Sequence, residues 1–254
     1  MRTYHANEIG NVAVLGHSGC GKTSIVEAMA YRSGLIDHIG NVNSGNTLSD
    51  YSSEEISRKS SVNLSVIPVE WNNCKINLID VPGTFDFTGE CESALSVCES
   101  ALIIVPSSSG INAGTKQAMY KAKDKAKIIY INGLDNPNSD YATKLQQLKD
   151  TYGKAIAPIQ VPIMDNNKMI GYINVAKMEG RIFEGTQTKP MDIPEELMDQ
   201  VTPIKEMIDE AVANTNDELL EKYINEEPFT KEEISLALRK GVIEKTLIPV
   251  LCGT

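Results

Sequence analysis

The octapeptide Gly16-His17-Ser18-Gly19-Cys20-Gly21-Lys22-Thr23 follows the apolar run Val12-Ala13-Val14-Leu15 and opens the stretch Ser24-Ile25-Val26-Glu27-Ala28-Met29. Its pattern is G-x-x-x-x-G-K-[ST], and each fixed position has a chemical task. The glycines let main-chain N–H groups curl round a phosphate, the lysine puts a point charge beside β/γ oxygens, and the next hydroxyl can ligate Mg²⁺. His17, Ser18, Gly19, Cys20, Gly21, Lys22, Thr23 and Ser24 are therefore candidate phosphate-binding residues, with Lys22 also catalytic and Thr23 a metal ligand. A second signal is Asp80-Val81-Pro82-Gly83 at the end of a strand-like run. An aspartate there can reach Mg²⁺ through a water, and the Gly83 N–H can meet a γ-phosphate, so the loop can sense that phosphate. The third is Asn132-Gly133-Leu134-Asp135, where a carboxylate can accept from the N1–H and exocyclic amine of guanine, which adenine does not offer. Alone, D-x-P-G or N-G-x-D is an ordinary turn; behind a phosphate loop the two read as a γ-phosphate sensor and a base-recognition loop.

These loops need strands and helices to hold them. A strand over about Gly10–Leu15 and a helix to about Arg32 flank the phosphate loop. From Asp37 to Ser61 the chain is rich in Ser, Asn, Gly and charge without sustained periodicity, which predicts a long mobile loop. Val62–Trp71 partly alternates, with Pro68 suggesting an edge strand, and turns through Asn72-Asn73 into Lys75–Ile79. Asp86–Val97 reads as a helix, Ala101–Val105 as a buried strand, Asn112–Lys125 as a helix and Lys127–Ile131 as a strand. The lysines of that second helix (Lys116, Lys121, Lys123, Lys125, with Lys127 beyond) suit its C-terminal dipole better than a binding patch. Alternating strands and helices predict a mostly parallel α/β sheet flanked by helices, with ligands at the strand carboxyl ends.

The 254 residues, 41% hydrophobic and 23% charged, suffice for one large domain or a domain with an insert. No apolar run approaches the ~20 residues that cross a bilayer, and the start lacks a signal-peptide core, so the expectation is a cytoplasmic chain without membrane contact. Five scattered cysteines without a C-x-x-C pair suggest neither a disulfide framework nor a zinc site. The net charge is −10, and Met178–Lys240 alone carries 16 Asp or Glu against 7 Lys or Arg. That break marks an acidic subdomain, either a solvated helical surface or a partner-binding face. A broad basic footprint for nucleic acid is absent.

The stretches GHSGCGKTSIVEAMAYRSG, DVPGTFDFTGE, the run into NGLDNPNSDY and the terminal ELLEKYINEEPFTKEEISLALRKGVIEKTLIPVLCGT resemble the nucleotide-binding domain of translational GTPases, closest to elongation factor G. The resemblance covers essentially the whole chain. It implies a P-loop NTPase fold binding GTP or GDP with Mg²⁺, in which Thr23 and Ser61 ligate the metal, Asp80 holds it through water, Gly83 senses the γ-phosphate, and Asn132, Asp135 and the Cys252-Gly253-Thr254 loop read guanine. Residues 1–156 and 245–254 would form the GTP-binding domain and 157–244 an inserted α+β subdomain, the one called G-prime. Within the insert, strands at Ile159–Met164 and Met169–Ala176 flank an Asp165–Lys168 turn, and acidic helices follow. Thr230-Lys231-Glu232-Glu233 is a capping box there and Gly241 a plausible helix stop. The family continues with further domains, so the resemblance implies a nucleotide-binding domain taken from a longer protein, acting as a monomer with the ribosome and its stalk protein. Four positions depart from the family pattern. Thr84 stands where the catalytic histidine is usual, Gly133 where a lysine packs on the purine, Gly19 where the phosphate loop often has aspartate, and Ser61 where the switch threonine closes on the metal. Slow intrinsic GTP hydrolysis is the expectation. Two other readings stay open: a P-loop ATPase or kinase, and a nucleotide-binding module that does not hydrolyse.

Overall fold

The computed structural model describes residues 2–185 and 187–254. They fall into two compact units, the first running to Val105 with Asn112–Lys125 added, the second comprising Pro106–Ile111 and Ala126–Thr254.

The first unit contains β1 (Ile9–Gly16), α1 (Lys22–Arg32), α2 (Ser53–Arg58), β2 (Ser65–Trp71), β3 (Cys74–Asp80), α3 (Thr88–Val97), β4 (Ser100–Pro106) and α4 (Ala113–Lys121). Its strands lie in the order β2-β3-β1-β4. β1 runs parallel to β3 and β4, and β2 returns antiparallel on β3 through Asn72-Asn73, both at positive φ as a two-residue hairpin turn of the I′ type requires. Ala101–Val105 is buried throughout, as a parallel strand covered on both faces must be. Val14 pairs with Asp80, so the phosphate loop and the D-x-x-G turn leave the sheet side by side at its carboxyl edge.

The second unit contains β5 (Ala126–Asn132), α5 (Tyr141–Tyr152), β6 (Ile156–Pro158), β7 (Gln160–Asp165), β8 (Lys168–Asn174), β9 (Glu179–Glu184), β10 (Gln187–Met191), α6 (Glu195–Ala213), α7 (Asp217–Ile224), α8 (Lys231–Ile243) and β11 (Ile248–Cys252). β5, β11 and β6 are parallel neighbours in that order, and β10-β9-β8-β7 form a separate antiparallel sheet. The fold is the expected α/β class, mostly parallel strands flanked by helices, with an additional antiparallel sheet. No helix among the described residues is long and apolar enough to cross a membrane.

Three sequence expectations need correction. The 37–61 stretch is not featureless: it holds a helical turn at Val42–Ser44 and α2, whose Ser52 and Glu55 form a capping box, an S-x-x-E signal that the surrounding polar residues hid. Acidic helices do not follow Ala176 directly, because β9 and β10 intervene; their charged faces and Pro190 mask the alternation of a strand. Gly241 is not the stop of α8, which runs on to Ile243. A Cβ at 241 would lie 2.7 Å from Leu247 Cγ, so the glycine is there to let the following chain pack back on the helix. The lysines around α4 do have structural partners: Lys121 pairs with Glu92, the Lys125 ammonium donates to the Cys98 carbonyl, and Lys123 lies over the Tyr120 ring.

Candidate nucleotide site

In the first unit, α1 begins at Lys22, so the loop before it delivers its N–H groups to a helix N-terminus, where an anion is favoured. Lys22 is buried and its Nζ donates to the Gly16 and His17 carbonyls at 3.3 and 3.2 Å, arching back over its own loop. Gly83 presses on the same place: a Cβ there would lie 2.4 Å from Lys22 Nζ and 2.6 Å from the Ser18 nitrogen. Only glycine lets the D-x-x-G turn come this close to the phosphate loop.

The metal-ligand candidates converge. Thr23 Oγ1 donates to Asp80 Oδ2 at 2.7 Å, and Ser61 Oγ lies 3.4 Å from Thr23 Oγ1. Asp80 Oδ1 is buried with no hydrogen bond, and burial pushes the carboxyl above its usual range against the pull of Thr23 and Lys22. Two hydroxyls and a half-satisfied carboxylate are hard oxygen donors, which suit a small divalent cation such as Mg²⁺. A cavity of about 320 Å³ opens here, lined among others by Ser18, Lys22, Thr23, Asp50, Ser61 and Gly83. Gly19, Gly21 and Ser24 also line it, whereas His17 and Cys20 do not.

Asp50 was not legible as a site residue. It is 3% exposed, both carboxylate oxygens are buried without a hydrogen bond, and burial raises its pKa, opposed by Ser61 beside it. It sits in the stretch that lacks any periodic signal. Thr84 and Phe85 stand outside the cavity. Thr84 instead lines a second space of about 30 Å³, room for one water, with Thr88, Cys91, Gln117 and Lys121. Phe85 is 48% exposed, and its ring lies 6.3 Å from that of His17.

The base-loop candidates share the second unit. Asn132 ends β5, and its carbonyl accepts from the Ser107 N–H at 2.9 Å, while Ser107 Oγ donates to the Gly133 carbonyl at 2.6 Å. Leu134 N–H donates to the Gly253 carbonyl and Gly253 N–H to the Ile131 carbonyl, so the loops after β5 and β11 are tied by their main chains. A Cβ at 253 would lie 1.8 Å from Tyr130 Oη, which again only glycine avoids. Cys252 takes part through its N–H, donated to Gln160 Oε1 at 3.2 Å; burial pushes its thiol up to about 12, so it stays protonated and unreactive. Asp135 and Thr254 are exposed on this frame, with Leu134 buried beneath as the anchor.

The Elongation factor Tu GTP binding domain model matches residues 7–253. A crystal structure of a protein from Thermus thermophilus superposes with a TM-score of 0.88 at 31% sequence identity, over 97% of this chain and 37% of that one. The chain thus spans little more than a third of that protein's length. The phosphate loop, the D-x-x-G turn against it and a match over almost the entire chain lead to one conclusion: this chain belongs to the elongation factor Tu GTP-binding domain family, the nucleotide-binding domains of translational GTPases.

Proposed function

We propose that this is the Mg²⁺-dependent GTP/GDP switch of an elongation-factor-G-like translational GTPase with slow hydrolysis. The observation that carries the reading is that Thr23 and Ser61 line one cavity with Lys22 and Gly83, while the buried Asp80 accepts from Thr23 directly behind it. Lys22 and the loop amides hold the phosphates, Thr23 and Ser61 ligate the metal, Asp80 holds it through water, and Gly83 meets the γ-phosphate. A Mg²⁺ bound there would neutralise charge on the phosphate oxygens. Asn132 with Asp135 selects guanine, and Cys252-Gly253-Thr254 completes that side. Residues 1–156 and 245–254 are assigned to the nucleotide domain and 157–244 to the insert; β7–β10 and α6–α8 all fall inside the insert and β11 begins just after it.

Slow hydrolysis is supported by what the cavity lacks. In-line attack needs a side chain to orient water, and position 84, usual for a histidine, carries a threonine that lines another space. Missing one such group costs about 10² to 10³ in rate. The acidic insert, with Ile224, Leu236 and Ile243 exposed among its carboxylates, is the proposed partner face, the ribosome and its stalk protein being the candidates implied by the resemblance. Such an interface would weaken with added salt. The molecule is proposed to act as a monomer in the cytoplasm. Affinities for GDP, GTP, ADP and ATP measured side by side test the reading: a strong guanine preference supports it, and equal or better adenine binding would replace it with a P-loop ATPase or kinase.

A further inference from the structure

One buried charge has no part in the scheme above. Glu27, in α1 four residues after Thr23, is 1% exposed, and its carboxylate oxygens accept from the main-chain N–H groups of Gly40 (2.9 Å) and Leu48. These amides belong to the segment that goes on to carry Asp50 and Ser61 into the phosphate cavity. Gly40 is pressed against this contact: a Cβ there would lie 2.8 Å from Glu27 Oε2 and 2.5 Å from the Asn46 carbonyl oxygen. At the far end, the Leu64 N–H donates to Glu90 Oε2 on α3 at 2.7 Å, and in between the carboxylate of Glu55 gathers the Ser52, Val62 and Asn63 N–H groups. The outer pins grow from α1, which opens at the phosphate loop, and from α3, which follows the D-x-x-G turn.

A carboxylate is an unusual anchor for a permanent fold, because burying it forfeits its hydration and main-chain N–H groups only partly restore it. When the segment lifts, water satisfies the carboxylate and the amides alike, so seated and lifted states differ little in free energy. An apolar anchor would hold more firmly, since water offers no replacement for its contacts. We infer that Glu27 is a positioning residue whose carboxylate sets how much of the time the segment bearing Asp50 and Ser61 is seated over the phosphate cavity, and thereby the affinity for a nucleoside triphosphate relative to the diphosphate. This rests on the nucleotide reading proposed above. The seated segment brings Ser61 to the γ-phosphate side; the diphosphate has nothing there for it to meet. Glu27→Gln replaces one acceptor by a donor facing an N–H and removes the charge, which weakens seating about 10-fold.

Equilibrium binding of GDP and of a non-hydrolysable GTP analogue to wild type, Glu27→Gln and Gly40→Ala tests this. The expected result is an analogue affinity about 10-fold weaker in Glu27→Gln and weakened in Gly40→Ala, GDP affinity within about 2-fold of wild type in both, and faster protease cleavage between residues 40 and 60. Gly40→Ala breaks the same contact from the segment's side, so it decides the matter if Glu27→Gln fails to fold. An unchanged ratio between the two ligands, or an equal fall for both, would overturn the inference. A wild type that binds neither guanine nucleotide would overturn it together with the reading beneath, a result distinguishable from the others.

Discussion

Among the described residues, every buried polar or charged side chain except Ser107, Lys127 and Lys144 lies in the unit built on β1 to β4. Among the described residues that unit also holds the orphaned side-chain oxygens of Ser49, Asp50, Asp80, Thr84 and Thr115, against Gln147 Oε1 and Tyr152 Oη in the other. The base side is made differently. Its loops satisfy one another through main-chain hydrogen bonds, and a single carboxylate, Asp135, is left standing on a finished frame. Buried groups without partners cost free energy that a fold bears only where something else supplies the partner. On the proposed reading, the first unit is shaped for a charged ligand at the expense of internal satisfaction, while the loops of the second are internally satisfied and present one carboxylate edge.

The largest effect that tests this contrast is on the phosphate side. Lys22→Ala removes a buried cation from beside the phosphates, and titration of either GDP or ADP should show affinity falling on the order of 10³-fold, equally for the two bases. A smaller, opposite change is expected from Thr84→His. The space of about 30 Å³ beside Thr84 is too small for an imidazole, so the ring must turn out of it. Single-turnover hydrolysis should then rise by about 10², with GDP affinity unaltered; a wild-type rate already equal to the variant's would mean that another group orients the water.

On the base side the effects shrink. Gly133 has φ +77 and a Cβ there would meet only Ser107 Oγ, at an ordinary 3.8 Å, so Gly133→Lys adds the stem that can cover a purine but places a side chain in left-handed backbone at a cost of about 1 kcal/mol. GDP affinity measured by calorimetry should change by less than about 5-fold. Smallest is a pH effect elsewhere in the second unit, between α5 and α6. The ammonium of Lys149 beside Glu210, at 2.9 Å, holds that carboxyl below its usual range despite some burial, with Lys154 assisting. A lowered folded pKa gives stability that is present above the ordinary value of 4.5 and is lost as pH falls through the folded value. Unfolding free energy, measured by denaturant titration, should therefore fall a little more steeply below pH 4.5 in wild type than in Glu210→Gln, by no more than about 1 kcal/mol for a partly exposed pair.

The same contrast explains what the residues alone disclosed. Phosphate binding needs fixed types at fixed spacing, so Lys22, Thr23, Asp80 and Gly83 stood out as candidates, and the fold does bring Thr23 to Asp80 and Gly83 to Lys22; β1, β3, β4 and β5 were readable because their apolar runs are continuous or alternate. The burial of Asp50 and Glu27 was not readable, because it is set by non-local packing: one is in a stretch without period, the other on a helix where a glutamate normally faces water. α5 was not legible because its twelve residues are mostly polar and bury only Lys144, Leu145 and Leu148, and β9 and β10 were not because half-exposed strands of mixed charge carry no clear alternation. The tie between the β5 and β11 loops is made by main-chain groups, which no side-chain pattern announces.

The most direct test of a division between phosphate binding and base reading is the ratio of GDP to ADP affinity in wild type, Lys22→Ala and Asp135→Asn. Leaving the Asp135 carboxylate unpaired over adenine should give wild type a preference on the order of 10³ for GDP. Lys22→Ala should keep that ratio while both affinities fall, and Asp135→Asn should collapse it, as GDP loses its paired hydrogen bonds and the penalty over adenine is relieved. A ratio unchanged by Asp135→Asn, or altered by Lys22→Ala as strongly as by Asp135→Asn, would contradict the account.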